Sequence, residues 1–310
     1  MKHPHVIIAP HISKMLSLGA PIVALESTVI THGLPRPQNL QLARDMEKYV
    51  RDSGATPATV ALLDGKIRIG LTDLELTRLA DADSDSLLKV SHRDFATAIV
   101  KKTNGGTTVA ATLLAAHMAG IKVFATGGIG GVHKESPFDI STDLHALAEI
   151  PMIVVCAGAK AILNLPATLE YLETMGVPVI GYQTHKFPAF YSRESGLNVS
   201  VRLDTPKEIA DFAEAHWSLG LRSAILVANP VPETEAISIS EIEPIISKAS
   251  AEAIEQGIHG QKLTPFLLSR INELTKGKSL RTNLALLLNN ARLAAKIAEA
   301  VGDKKKVWAI

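Results

Sequence analysis

Short β-branched runs alternate with longer helical patterns from Ile22 to Ala228, and after Pro230-Val-Pro232 the strands stop. Ile22-Val-Ala-Leu25, Ile121-Lys-Val-Phe-Ala125 and Met152-Ile-Val-Val-Cys156 read as strands. The last is near-continuously apolar, as a strand buried on both faces of a parallel sheet must be. Further strands are expected over 177–181 and 223–228. Helical patterns separate them over 37–51, 107–118, 141–149, 166–175 and 206–218. Pro37 near a first turn, Gly54 past an end and Ser141 as a cap mark helix boundaries. Thr72 with Glu75 forms a capping-box pattern. Asp64-Gly65 between Thr59-Val-Ala-Leu-Leu63 and Ile67-Arg-Ile69 predicts a hairpin. Helices over 239–256, 264–275 and 280–301 then follow one another. This order predicts an α/β fold: a mostly parallel central sheet sandwiched by helices, with a C-terminal helical segment and the hairpin as a small excursion. No repeat, low-complexity linker or composition break divides the 310 residues, so a single domain over 1–310 is expected.

Composition narrows the function classes. Lys and Arg number 32 against 31 Asp and Glu, a net charge of +1, so no polymeric nucleic acid partner is expected from bulk charge. Cys156 is the single cysteine, which excludes an intrachain disulfide and a thiolate zinc cluster. No apolar run approaches the roughly 18 residues of a membrane span, and no signal-peptide core follows Met1. A soluble cytoplasmic enzyme with no membrane partner is the expectation. Lys304-Lys-Lys306 reads as a solvated tail.

In an open parallel sheet, ligands bind beyond the carboxyl ends of the strands. The first strand delivers Glu26, then Ser27, Thr28 and His32. The strand ending at Ala125 runs into Gly127-Gly-Ile-Gly-Gly131, and the one ending at Cys156 into Ala157-Gly-Ala-Lys160. A carboxylate, a glycine-lined floor and an amine would then surround one crevice. Lys160 has apolar neighbours in sequence, which favours a neutral amine able to attack a carbonyl. The other reading is a lysine that snorkels to solvent. Glu26 is either a general acid with a burial-raised pKa or a carboxylate paired with a nearby lysine.

Asp139-Ile-Ser-Thr-Asp143 places oxygen ligands at alternating positions before a helix. It suits a divalent ion or a phosphate at the helix start, or it is simply a capped helix with acidic first-turn residues. It is not an EF-hand, because Leu144 and Ile150 occupy the turn-glycine and bidentate-glutamate positions. Asn104-Gly-Gly-Thr-Thr108 is a second candidate phosphate cradle, without the Gly-Lys-Ser/Thr of a P-loop. Gly128-Ile-Gly130 fails as a dinucleotide motif, since His133 takes the last glycine position. Lys89 is a further amine for a phosphate or sugar hydroxyls, or a surface lysine. Neither His-Glu-x-x-His nor Gly-x-Ser-x-Gly occurs.

These strings together resemble the pseudouridine-5′-phosphate glycosidases. The carriers are Ala24-Leu-Glu-Ser-Thr28 with His32-Gly33, Lys89-Val-Ser91, Gly106-Thr-Thr-Val-Ala-Ala-Thr112, Thr126-Gly-Gly-Ile-Gly-Gly-Val-His133, Phe138-Asp-Ile-Ser-Thr-Asp-Leu144, Val155-Cys-Ala-Gly-Ala-Lys160 and Asn283-Leu-Ala-Leu-Leu-Leu-Asn-Asn-Ala-Arg292. No one of them is decisive; seven in order, from about Pro21 to Val301, are specific. The loop Lys134-Glu-Ser-Pro137 is shorter than in other members.

The resemblance implies reversible cleavage of the C–C glycosidic bond of pseudouridine 5′-phosphate to uracil and ribose 5-phosphate. It implies Lys160 as nucleophile and Glu26 as proton donor. It implies Asp139 at a Mn²⁺ site, with Mg²⁺ or Fe²⁺ as other candidates. Lys89, Val109, His133, Ser141, Thr142, Asp143 and Asn283 match substrate-contacting positions, and a homotrimer is implied. Carbon is a poor leaving group, so an ordinary pair of glycosidase carboxylates does not suffice. The expected route has Glu26 assist opening of the ribose ring and Lys160 form an imine at C1′, while C1′–C5 breaks and uracil C5 gains a proton. Two other readings share these residues: another Schiff-base sugar-phosphate aldolase or lyase, and a non-catalytic sugar-phosphate sensor.

Overall fold

The computed structural model describes residues 3–134, 138–258, 260 and 263–307, with side chains described as far as Gly302 in the last helix. Residues 135–137 of the short loop and the side chains of the Lys304-Lys-Lys306 tail lie outside the described residues.

Thirteen strands occur among them: β1 (Val6–Ile8), β2 (Ile22–Leu25), β3 (Thr56–Leu63), β4 (Lys66–Ile69), β5 (Leu88–Val90), β6 (Gly105–Thr107), β7 (Val123–Ala125), β8 (Val132–His133), β9 (Ile153–Cys156), β10 (Leu163–Asn164), β11 (Val179–Tyr182), β12 (Val201–Leu203) and β13 (Ile225–Ala228). The main sheet runs β1-β4-β3-β2-β7-β9-β13-β11-β12, parallel throughout except at β3–β4. The central strands β2, β9 and β13 are buried at every residue, which is why their sequences do not alternate.

The hairpin forms as expected. Asp64 and Gly65 take φ of 51° and 70°, the paired left-handed turn whose twist matches that of the strands. It is larger than its two sequence runs. The outer half of β3 also pairs antiparallel with β6, and β6 carries β5 in parallel, with Lys89 opposite Gly106. The helix expected from Thr107 therefore begins at Val109, behind the Thr108 hydroxyl, which accepts from the Ala111 N–H at 3.4 Å. Strands of two or three residues at the edges (β1, β5, β6, β8, β10 and β12) have no periodicity long enough to read in sequence.

Helices cover the sheet on both sides. The Lys278–Val307 helix lies over β2, β7 and β9, flanked by Gln38–Asp52 and Pro206–Ser218. Val109–Met118 packs on β2, β3 and β4 and against Thr142–Glu149. It is buried almost all round, which its uniformly apolar sequence requires. One continuous hydrophobic cluster extends from Ile12 to Ala298, joining the last helix to the first strands. Among the described residues no helix is long and apolar enough to cross a membrane.

Candidate active site

The chain leaves β2 toward β3 and β4 on one side and later returns to β7 on the other, so sheet order reverses between β2 and β7. Such a reversal opens a crevice beyond the carboxyl ends of the strands. Glu26 follows β2, Thr126 follows β7, and Ala157-Gly-Ala-Lys160 follows β9 on the adjacent strand. The three strand ends singled out from sequence are therefore neighbours.

The crevice has two recesses that share Glu26, Thr28, Lys89, Lys160 and Thr264. The larger, about 260 Å³, is polar and includes Ser91, Val109, His133, Asp139, Ser141, Thr142 and Asp143. The smaller, about 60 Å³, includes His32, Gly128, Phe190, Leu268, Asn283 and Leu287. Every residue expected at the site thus lines one recess or both. Asn283 stands apart from the other expected substrate residues, in the smaller one.

Lys160 is half-buried and held by its backbone. Its N–H donates to the Ile129 carbonyl at 3.1 Å, Ile129 donates to Gly158 at 3.1 Å, and Ala157 donates to Gly127 at 2.8 Å. The glycine loop and the lysine loop are zipped together. Opposite them, β8 pairs antiparallel with β10, setting His133 across from Leu163. The glycines are places of close approach more than tight turns. A Cβ at Gly130 would lie 2.1 Å from Ser141 Oγ and 2.8 Å from Asp143 Oδ2, and one at Gly128 would lie 2.7 Å from the Phe190 ring. Phe190 itself has φ of 60°, a strained conformation for an aromatic residue, at the wall of the smaller recess.

Burial pushes the Glu26 carboxyl above the ordinary carboxylate value. The Lys160 charge and a hydrogen bond donated by the Thr126 hydroxyl pull it back only in part. A carboxyl whose protonated form is favoured in this way suits a proton donor. Thr126 is fully buried, and its carbonyl accepts from Asn290 Nδ2 at 2.8 Å, while Asn290 Oδ1 accepts from Asn229 Nδ2 at 2.9 Å. Sequence reasoning missed Thr126 because it stands one residue before the more conspicuous glycines.

Lys89 is not a surface lysine. β5 carries it into the crevice, where burial first, and the Lys160 charge second, lower its pKa. Ser91 and Thr142 bridge the polar recess through their hydroxyls at 2.8 Å. Ser141 caps its helix, as expected, by accepting from the Asp143 N–H at 3.3 Å. Asp143 is buried, and both carboxylate oxygens accept backbone N–H groups at 2.9 Å, from Ala110 and Gly130. It ties a helix start to the glycine loop and shapes the recess it lines.

Asp139 lines the same recess but is placed differently from Asp143. It is exposed at the rim, its carbonyl accepts the His133 N–H at 3.1 Å, and it makes no ion pair among the described residues. No three of His, Cys, Asp and Glu converge among the described residues. A lone exposed carboxylate fits a hard divalent ion that keeps most of its water, and does not fit a closed cage of protein ligands. Cys156, four residues before Lys160, is buried with its thiol pushed up to about 12, which makes it inert packing.

The family model "Indigoidine synthase A like protein" matches residues 11–300. A pseudouridine-5′-phosphate glycosidase of Solibacter usitatus is 55% identical over 296 residues, covering 95% of this chain and 98% of that protein. One from Geobacillus kaustophilus is 56% identical over 280 residues, covering 90% and 92%. Among solved structures, the prealnumycin C-glycosynthase AlnA in complex with ribulose 5-phosphate superposes with a TM-score of 0.90 at 37% identity, covering 99% of this chain and 100% of that one. An indigoidine synthase A-like protein of Thermotoga maritima gives 0.89 at 37% identity, covering 97% and 99%. The chain belongs to the indigoidine synthase A-like family, and with it to the pseudouridine-5′-phosphate glycosidases that its sequence motifs resemble.

Proposed function

We propose that this protein is an enzyme that reversibly cleaves the C1′–C5 bond of pseudouridine 5′-phosphate, giving uracil and ribose 5-phosphate through a covalent lysine intermediate. The observation that carries the reading is the meeting of Glu26 and Lys160 at the junction of a larger polar recess and a smaller one. Relatives of the same name at more than half identity support the substrate, and a C-glycosynthase holding a pentulose 5-phosphate supports the class of bond and of sugar.

The polar recess, with Lys89, Ser141, Thr142 and Val109 at the start of the Val109–Met118 helix, suits a phosphate. The smaller recess, with Asn283 and the Phe190 ring, suits a flat base with amide edges. Glu26 gives its proton to the ring oxygen as C1′–O4′ opens, and the Lys160 amine bonds to C1′. When uracil C5 takes a proton, C1′–C5 breaks and the nitrogen lone pair closes the C=N bond. Water then hydrolyses the imine and frees the amine, so the net change is one water consumed. Asp139 would hold a hydrated Mn²⁺ or Mg²⁺ ion, which supplies positive charge beside the phosphate.

Borohydride added during incubation with ribose 5-phosphate is expected to leave one reduced pentose-phosphate adduct on Lys160, read by peptide mass spectrometry. An intact, unlabelled Lys160 would overturn the covalent route. Asp139→Ala is expected to lose activity and to regain part of it in excess Mn²⁺; indifference to both metal and substitution would remove the metal from the account. The family resemblance also carries a homotrimer, and light scattering is expected to give about three times the chain mass.

A further inference from the structure

We infer that Thr28 is a substrate-binding residue: its hydroxyl receives the sugar hydroxyl next to the reacting carbon, and it makes the site selective for ribose over 2-deoxyribose. The inference rests on the lysine-imine reading above and names a contact that the family motifs leave unassigned.

Four buried side-chain polar atoms lack a hydrogen-bond partner among the described residues: Thr28 Oγ1, Arg68 Nε, His117 Nδ1 and Asn272 Oδ1. Only Thr28 lines the crevice that holds Glu26 and Lys160, and it lines both recesses. A buried hydroxyl without a partner is destabilising, so an unpaired one at a binding site is matched by something the ligand brings.

The local backbone explains why the hydroxyl is free. Thr28 precedes the one-turn Val29–Gly33 π-helix and occupies its N-cap position, where a threonine normally accepts a backbone N–H. Here φ and ψ are −60° and −33°, already helical, and no side-chain cap bond forms. The N–H groups of Ile30 and Thr31 go instead to the Ser27 carbonyl at 3.0 and 3.1 Å, and the Thr31 hydroxyl reaches His32 Nδ1 at 2.7 Å. The residues on either side are thus satisfied, and Thr28, which lines both recesses, keeps an unused donor and acceptor beside the crevice. Such short π-turns recur at functional sites.

Position then identifies the partner. The phosphate fills one recess and the base the other, so the junction holds the sugar carbons between them. Glu26 and Lys160 at that junction address the ring oxygen and C1′. Thr28 follows Glu26 by two residues on the same strand end, and the oxygen one bond further along the sugar is the 2′-hydroxyl. A site built to hydrogen-bond a substrate hydroxyl rejects the analogue lacking it, because its own polar group is left unpaired.

The test compares borohydride trapping on Lys160 with ribose 5-phosphate and with 2-deoxyribose 5-phosphate, in wild type, Thr28→Val and Thr28→Ser. Wild type is expected to trap ribose 5-phosphate at least about tenfold faster, with Thr28→Ser close to it and the preference collapsing in Thr28→Val. Since the free enzyme uses no hydrogen bond at this hydroxyl, Thr28→Val is expected to melt at or above the wild-type temperature without ligand; a structural hydroxyl would lower it. If wild type traps neither sugar, the lysine-imine reading itself fails. If wild type traps both alike, or Thr28→Val keeps the wild-type ratio, the imine stands and the role of Thr28 is overturned.

Discussion

Glu26 is pulled in two directions, and Thr126 is the side chain through which the balance can be changed. Burial raises the carboxyl pKa and the Thr126 hydrogen bond lowers it. Replacing Thr126 by the isosteric valine leaves burial less opposed, so the pKa rises further. A proton donor then stays protonated to higher pH, and the alkaline limb of the kcat/KM profile is expected to move up. A limb that stays or moves down would show that Glu26 is not the donor. Gly130→Ala places a methyl group against Ser141 and Asp143 and is expected to raise KM for the sugar phosphate roughly tenfold with the fold intact; an unchanged KM would remove the loop from binding. At this scale the placement of Glu26 and Lys160 at one crevice was legible, because each follows an apolar strand with nothing local to pair it. Thr126 and the unpaired Thr28 hydroxyl were not legible, because their meaning lies in partners present or missing across the fold. Asp143 read as a substrate ligand, and only the structure reveals that its carboxylate accepts two backbone N–H groups.

At the scale of elements, the β5–β6 pair brings Lys89 to the site. Gly105 lets the two strands approach, since a Cβ there would lie 2.4 Å from the Leu88 carbonyl oxygen. Gly105→Ala is expected to displace β5 and weaken phosphate binding by an order of magnitude or more, measured as KM for ribose 5-phosphate in trapping. Thr72→Ala is the contrasting case. It breaks a complete capping box on the Asp73–Asp81 helix, away from the crevice, and is expected to cost about 1 kcal/mol of stability with kcat/KM unchanged. Long elements were legible from sequence: apolar period, proline, glycine and cap residues set most helix ends within a residue or two. The three-residue β5 was not. Leu88-Lys-Val90 has no readable pattern alone, and it becomes a strand only because β6 offers it an edge.

For the whole molecule, the reversal of strand order between β2 and β7 puts the reacting groups in one crevice, and the last helix, packed over β2, β7 and β9, lends Asn283 and Leu287 to its smaller recess. We read the chain as one domain, and so expect ellipticity and activity to be lost in a single thermal transition; two resolved transitions would divide it. The crevice carries a stability cost. A carboxyl whose pKa is raised on folding adds stability below the unfolded carboxylate range and loses it as pH rises through the folded value. At neutral pH, Glu26→Gln is therefore expected to abolish turnover and raise the melting temperature; a lower melting temperature would contradict the burial argument. The central claim is tested most directly by incubating purified protein with pseudouridine 5′-phosphate and Mn²⁺, following uracil and ribose 5-phosphate by chromatography, with Lys160→Ala alongside. The account predicts both products from the wild type and neither from the variant. A folded, metal-supplied wild type that releases no uracil, or a Lys160→Ala variant that releases it at the wild-type rate, would contradict it.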